Sequence, residues 1–220
     1  MRNILYTYTV KLILTTAIGL LFSIQLLAQS FVADSVEFEK LVETEKEIRS
    51  GGTIHLYHYN SELYTGCSIE KKLTSYYVYQ FKNGRKHGVT AIYSKTNRKK
   101  QEWEYHKGML RSSREWYMDG DLKNETLFTR KSRYKKRSVW HRNGQLKETF
   151  NQGKYSSNQK VKRYSQKGKT SEKGQETSIE SGKKMETIKV GKWLYFDRKG
   201  KRKKIEFYDE QGHLISSKKV

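Results

Sequence analysis

The chain has 220 residues, a formal net charge of +22 and only 35% apolar residues, a low apolar fraction for a compact globule of this length. A large positive excess attracts polyanions such as nucleic acid, anionic lipid, acidic polysaccharide or an acidic protein. The sequence contains no proline, which suits long hydrogen-bonded strands, and its single cysteine excludes an internal disulfide.

Residues 1–28 resemble a secretory signal. Arg2 and Lys11 supply the positive start, the segment from Leu12 to Ala28 is mostly apolar, and cleavage is expected after Ala28. An uncleaved membrane anchor is the alternative, but the apolar segment is short for a membrane span. The sequence therefore predicts an exported protein that is periplasmic, associated with the outer membrane or secreted.

Residues 29–52 form a zone of different composition, in which acidic residues outnumber basic ones. Its apolar residues Val36, Leu41, Val42 and Ile48 have a loose helical spacing, and Gly51-Gly52 follows them. This pattern predicts a short helix or an ordered lead-in before the first strand, with a flexible leader as the alternative.

The zone 53–164 is organised by turn residues about twelve positions apart, each preceded by a short run that contains aromatic side chains. These turn residues are Gly84, Asn97, Gly108, Gly120, Ser132 and Gly144. Such spacing predicts an all-β fold of serial β-hairpin repeats in an elongated antiparallel meander. Each repeat consists of one hairpin that packs mainly on its neighbours, so it needs little interior.

Two features of this zone set its expected turns and faces. Asn83-Gly84 and Asn143-Gly144 combine residues that tolerate positive φ, which favours tight hairpin turns. Trp103 and Tyr105 alternate with Glu102 and Glu104, which predicts a strand with one aromatic face and one solvated face.

The pattern weakens and then returns towards the end of the chain. Residues 165–189 are almost entirely polar, which predicts a polar insertion, either as a mobile loop or as the excursion of a long hairpin. Residues 190–220 resume the repeat, with turns at Gly200 and Gly212, and form a final repeat and a C-terminal edge.

Four segments are similar to one family. They are Leu56 to Gly66, Phe81 to Gly88, Trp140 to Lys147 and Val190 to Phe196. Together they resemble MORN-repeat-variant proteins, the group often labelled YwqK-type antitoxins, over roughly residues 54–215.

Single positions both support this resemblance and depart from it. Gly88 and Gly191 stand where the family keeps a glycine before a turn, whereas Arg111 and Lys135 fill that position in the middle units. The resemblance implies MORN-like serial hairpins with roles in attachment to protein or membrane lipid. The antitoxin label implies neutralisation of a toxin by direct binding.

No catalytic constellation is visible. The six histidines are scattered, and His55 and His58 would face opposite sides of one strand, so no metal site is expected. One cysteine cannot form a thiolate zinc site within the chain. Glu102 and Glu104 are better explained as a solvated face than as an acid pair. The sequence predicts a non-enzymatic protein with no catalytic, cofactor-binding or metal-binding residues.

The candidate contact groups are exposed aromatic residues and basic residues near turns. They are Trp116, Trp140, Trp193, Lys135, Lys136, Arg137, Arg202, Lys203 and Lys204. The competing interpretation is that the tryptophans are core residues and the basic turns are merely solvated. The cluster Arg98-Lys99-Lys100 and the cluster 130–137 are expected on opposite edges of the sheet, while the cluster 199–204 cannot be placed.

These observations favour a binding or scaffolding module at the bacterial cell envelope. The expected partner is another protein or an anionic envelope component, either lipid or acidic glycan; export argues against nucleic acid. Self-association through sheet edges is a further expectation, and Cys67 is either buried or paired between chains. A toxin-neutralising partner and an accessory of an envelope enzyme are the alternatives.

Overall fold

The computed structural model describes residues 35–47, 53–153, 157–181 and 184–220. Strands and one 3-10 turn make up the regular structure of these residues, with no α-helix among them. The chain divides into two compact units: the first holds its residues up to Glu70 together with Val78–Arg85, and the second holds Lys71–Tyr77 and Lys86–Val220. The signal segment predicted for residues 1–28 lies outside the described residues.

Most strands are short, as the turn spacing requires. The early strands are β1 (Val36–Glu37), β2 (Val42–Glu47), β3 (Thr53–Tyr59), β4 (Glu62–Leu63), β5 (Gly66–Lys71), β6 (Ser75–Lys82) and β7 (Arg85–Lys86), with the 3-10 turn at Phe38–Lys40. The later strands are β8 (Gly88–Ser94), β9 (Lys99–His106), β10 (Met109–Trp116), β11 (Leu122–Phe128), β12 (Tyr134–Trp140), β13 (Leu146–Gln152), β14 (Gln159–Tyr164), β15 (Thr170–Ser181), β16 (Lys184–Phe196), β17 (Arg202–Tyr208) and β18 (Leu214–Lys219).

The first unit is built around tyrosine and phenylalanine rings. The rings of Tyr57 and Phe81 lie 4.7 Å apart, and Phe38 stacks on Tyr79 at 4.5 Å between ring centroids. Cys67 is buried beside this cluster as a free thiol, and burial raises its pKa. The expectation that Cys67 is a buried small hydrophobe is therefore confirmed.

The lead-in of the first unit is extended. Within its described part, 35–47, β1 pairs in parallel with β5, the 3-10 turn follows, and β2 pairs antiparallel with β3. The loose helical spacing is overridden because all six residues of Val42–Glu47 are exposed and four of them are charged, which fits an edge strand, and pairing with β3 satisfies its backbone groups. The ordered lead-in is thus a strand, not an α-helix, over the described residues.

The second unit is an antiparallel meander in which every strand from β8 to β18 pairs with the next strand in sequence. The predicted fold class, an all-β protein of serial hairpins, is confirmed. Most turns have three residues between a hydrogen-bonded closing pair, and the last of the three is in the left-handed region. In one of them the Tyr117 N–H donates to the Asp121 carbonyl oxygen at 2.8 Å and the Gly120 N–H donates to the Tyr117 carbonyl oxygen at 3.1 Å. Positive φ occurs at the predicted turn positions, including Asn97 (58°), Ser132 (55°) and Gly144 (75°).

Turns on the same edge of the meander are hydrogen-bonded to each other. The Tyr117 hydroxyl donates to the Trp140 carbonyl at 2.8 Å, and the Asn143 side-chain amide donates to the Gln166 carbonyl at 2.9 Å. These bonds link the successive turns at Gly120, Gly144 and Gly168, so this part of the repeat is reinforced outside the strands as well as within them.

The polar stretch 165–189 forms the hairpin of β15 and β16, the two longest strands of the meander. The base of this hairpin pairs with β14 and β17, whereas beyond Glu176 and Lys189 its described residues pair only with each other. This segment is ordered by hydrogen bonds between its strands and by ion pairs at the base of the hairpin, although it is almost entirely polar. Composition alone did not show this.

Trp193, on β16, is the centre of packing at this end of the meander. It is fully buried, its indole N–H donates to the Gln175 carbonyl at 3.0 Å, and the Lys189 ammonium lies 4.3 Å from its ring centroid. The indole lies over Gly174, where a Cβ would come within 2.4 Å of the ring. A glycine on the neighbouring strand is therefore a condition for burying this ring.

Ion pairs surround Trp193 on the same face of the sheet. The Arg163 guanidinium contacts Glu148 at 2.7 Å, Glu172 at 3.1 Å and Glu176 at 2.6 Å. Glu172 also pairs with Lys189 at 3.1 Å. We call this group the ion-pair face. Each buried or half-buried carboxylate on it has a cation, which is the condition for placing charges there.

A second ionic cluster corrects one expectation. Glu102, predicted to be solvated, is buried between Lys99 at 2.6 Å and Arg114 at 3.0 Å. Burial alone would raise the pKa of Glu102, but hydrogen bonds and charges from the two cations outweigh it and hold the pKa below its usual value. Alternation separated the two faces of β9 correctly but did not show that the glutamate side is packed at this position.

Acid should weaken the C-terminal end of the meander through Glu206. A hydrogen bond from Lys204, supported by the Tyr195 and Tyr208 hydroxyls, lowers the pKa of this carboxyl from 4.5 to about 2. Because the folded pKa is depressed, the stabilisation is complete above pH 4.5 and is lost as the pH falls towards 2. We expect the urea midpoint of the wild type to fall across this interval more steeply than that of Glu206→Gln. Parallel curves for the two proteins would contradict this.

Candidate anion-binding face

Five lysines lie on one face of strands β12 to β16, opposite the ion-pair face. They are Lys136, Lys160, Lys162, Lys173 and Lys192, and we call this group the lysine face. Alternation places them there: in β14, Lys160 and Lys162 point to this side, while Val161, only 2% exposed, and Arg163 point to the other.

The register of the strands brings the lysines together. Lys162 on β14 is directly opposite Lys173 on β15, and Lys160 and Lys136 are each one strand away from Asn151. The five side chains border a shallow concave region of about 610 Å³. Its neutral lining includes Thr149, Asn151, Tyr164, Gln175 and Leu194. No aspartate or glutamate is among the described residues that line this region.

The charges on the lysine face are uncompensated. Among the described residues, no carboxylate lies within 4.0 Å of any of the five ammonium groups, and three of them instead lie near aromatic rings: Lys162 at 4.8 Å from Tyr164, Lys173 at 5.6 Å from Phe196 and Lys192 at 5.8 Å from Phe207. Like charges directly opposite each other across a strand pair are destabilising. An anion bound between Lys162 and Lys173 would relieve this repulsion.

The two faces of the same strands therefore differ sharply in charge. Glu148, Glu172 and Glu176 all turn to the ion-pair face, where each contacts Arg163. The described lining of the lysine face consists of cations, neutral hydrogen-bonding groups and a few apolar side chains. An ammonium group offers three donors and a compact charge, which suits phosphate, sulfate or carboxylate oxygens.

Of the predicted basic contact residues of the 130–137 cluster, only one reaches the lysine face. Lys136 lies on it, whereas Lys135 and Arg137 are exposed elsewhere, with Arg137 on the opposite side of β12. The turn that carries Lys131 lies on the edge of the meander opposite the Asn97 turn, so the predicted separation of the first two clusters is confirmed.

The third basic cluster lies on the same edge as the first. Arg202 and Lys203 are exposed near the Gly200 turn, while Lys204 pairs with Glu206 at 2.7 Å and is half-buried. The structure thus does not bring the three basic clusters to one site, and Lys204 has a structural role.

The three predicted tryptophans differ in their surroundings. Trp193 is fully buried, so the expectation that it is a contact residue is wrong; its core alternative holds. Trp116 is half-buried with the Lys99 ammonium 5.2 Å from its ring centroid, and Trp140 is half-buried beside the stacked turns.

Sequence reasoning missed four of the five lysines on the lysine face. The available signal was Lys160-Val161-Lys162, a pair of cations on one side of an apolar residue. Lys173 and Lys192 lie in or next to the polar stretch, whose pairing partners could not be assigned without the register. Their convergence is a property of the sheet and not of any segment.

Two histidine contacts bear on the possibility of a metal site, and each involves only two side chains. His55 lies 2.6 Å from Glu43 in the first unit, and the rings of His87 and His106 in the second unit lie 5.1 Å apart. No group of three or more potential metal ligands occurs among the described residues. In the described part of the chain, none of the helical segments has the length and apolar character to cross a membrane.

Comparison of the chain with protein-family models and with curated proteins finds no match.

Proposed function

We propose that this chain is an exported, non-enzymatic β-hairpin repeat protein that works as a binding module at the cell envelope, with the lysine face as its contact surface. The observation that carries the proposal is the acid-free group of five lysines in which Lys162 and Lys173 are directly opposed. The proposed ligand presents several phosphate, sulfate or carboxylate groups. Such a role agrees with the attachment functions implied by the resemblance to MORN-repeat-variant proteins.

The physical basis is cooperative electrostatics with modest hydrogen bonding. Each lysine near an anionic surface contributes on the order of 1 kcal/mol, and salt screens the attraction within about 10 Å at 0.1 M. Asn151 and Gln175 add neutral amide groups between the cations, so the face can hold a polyanion without burying a charge deeply. Cations without carboxylate partners need not break internal ion pairs before they bind.

The double variant Lys162→Gln/Lys173→Gln should bind anionic probes about 30-fold more weakly than the wild type, since two lysines contribute roughly 2 kcal/mol. Two probes separate the sources of the anion: phosphatidylcholine vesicles with and without phosphatidylglycerol, and dextran sulfate beside uncharged dextran. Co-sedimentation or titration calorimetry at several salt concentrations gives the affinity and its salt dependence.

Lys95→Gln/Lys131→Gln is the matched control, because it removes two exposed turn lysines and changes the net charge equally. It should keep near wild-type affinity, and circular dichroism should show intact β-structure in all variants. Equal losses in both double variants would show that binding follows total charge and not the lysine face. Binding that ignores salt would point to aromatic contacts.

A further inference from the structure

A second concave site lies on the opposite side of the meander, on strands β9 to β12. One cross-strand row of its floor runs Trp103, Ser113, Thr126, Arg137, each directly opposite the next. Neighbouring strands are about 4.8 Å apart, so Trp103 and Arg137 are separated by about 14 Å with two small side chains between them. The result is a hollow of about 400 Å³ with large side chains at both sides.

Two further groups close the ends of the hollow. Phe128 and Tyr134 form an aromatic end, and Gln101, Glu115 and Asn124 form a polar end in one cross-strand row. Glu115 is neutralised by Lys123 at 2.6 Å and accepts a hydrogen bond from Asn124 at 2.6 Å.

Several polar groups in the hollow are free to bind. Among the described residues, the side chains of Gln101, Trp103, Ser113 and Thr126 have no hydrogen-bond partner, although all four are half-buried. Arg137 has no carboxylate within 4.0 Å in the described chain. The hydrogen bond from Lys123 lowers the pKa of Glu115, and the more distant charge of Arg137 contributes to this shift. Because Lys123 already pairs with Glu115, the Arg137 guanidinium is available for a further anion. Half-buried donors and acceptors gathered around aromatic rings are typical of a small-molecule site.

From this arrangement we infer that the hollow binds an acidic sugar, a uronic acid unit alone or within a glycan. A pyranose ring has apolar C–H faces that pack on aromatic rings and a rim of hydroxyls that suits Gln101, Ser113 and Thr126. The planar fork of Arg137 matches a carboxylate in bidentate geometry. The volume lies in the range of small-ligand sites, roughly 300–1,000 Å³.

Titration calorimetry of the full chain with trigalacturonate and with maltotriose, a neutral trisaccharide of similar size, tests the assignment. Trigalacturonate should bind the wild type at least tenfold more tightly than maltotriose. Arg137→Gln should lose about tenfold for trigalacturonate and little for maltotriose, because it removes only the charge. Trp103→Ala should weaken both. Lys135→Gln, which removes an exposed charge from the same strand, should leave both unchanged.

A spectroscopic readout distinguishes loss of binding from unfolding of the variant. The indole N–H resonance of Trp103 should shift on adding trigalacturonate to the wild type, and thermal melts should show that Arg137→Gln is folded. Equal affinity of wild type and Arg137→Gln for trigalacturonate, or no binding at all, overturns the inference. So does loss of trigalacturonate binding in Lys162→Gln/Lys173→Gln with retention in Arg137→Gln, which would assign the sugar to the lysine face. Failure of dextran sulfate and vesicle binding, in contrast, affects only the proposed function.

Discussion

Replacing Trp193 with alanine should lower the free energy of unfolding by about 3–5 kcal/mol, as expected for the loss of a fully buried large aromatic side chain. The indole is buried, donates to Gln175 and carries the Lys189 ammonium on its ring, so its removal leaves a cavity and exposes part of the ion-pair face. Urea unfolding followed by circular dichroism measures the change.

Trp116→Ala is the matched control, because Trp116 is only half-buried, and its effect should be clearly smaller. Gly174→Ala probes the same contact from the other side, since a Cβ there would lie 2.4 Å from the indole. Gly174→Ala should destabilise the wild-type protein and should be nearly neutral in the Trp193→Ala variant. Equal effects of Gly174→Ala in the two backgrounds would show that the contact with the indole is not the cause.

Arg163→Met should destabilise the protein by about 2–3 kcal/mol, less than the 3–5 kcal/mol typical of a fully buried pair because this side chain is 24% exposed. The guanidinium donates hydrogen bonds to three glutamates. Burial lowers the pKa of Arg163, but these hydrogen bonds to carboxylates outweigh burial and raise it. Without it, Glu148, Glu172 and Glu176 repel one another. The loss should shrink at acid pH, where protonation removes that repulsion.

Arg202→Met provides the control for Arg163→Met. Arg202 is exposed, so its replacement should change the free energy of unfolding by no more than about 0.5 kcal/mol. Urea titrations of both variants at neutral and acid pH give the comparison. A destabilisation by Arg163→Met that is the same at both values would mean that lost packing, not unpaired charge, dominates.

The turns were the most predictable part of the fold. Gly84, Asn97, Gly108 and Gly144 all have positive φ, and these residue types are the ones that adopt it at low cost. Even Ser132, a less usual choice, was placed by the even spacing of the repeat. Turn chemistry is local, so a single sequence is enough to find it.

The faces of the sheet were only partly predictable. Alternation correctly placed Glu102 and Trp103 on different faces of the sheet. Which face is packed depends on neighbours such as Arg114, which comes from the next strand. The base of the β15–β16 hairpin is stabilised in the same way, by Arg163 of β14 reaching Glu172 and Glu176. Such cross-strand partners depend on register, which polar segments specify weakly.

The two candidate sites show the same limit. Lys162 and Lys173 are eleven positions apart in the sequence, and Trp103 and Arg137 belong to strands separated by two others, so neither site is visible as a motif. The basic residues near turns were the more conspicuous signal, yet the turns place them on two different edges.

The nearest-neighbour pairing of β8 to β18 has an evolutionary consequence. A hairpin duplicated or deleted as a whole returns the chain to the same edge and the same direction, so the segments on either side can rejoin with their contacts preserved. Loss of a lone strand would instead reverse the direction of everything that follows it. Lineages of this protein should therefore differ in length by whole hairpins, which lets the reach of the molecule change while each surface retains its chemistry.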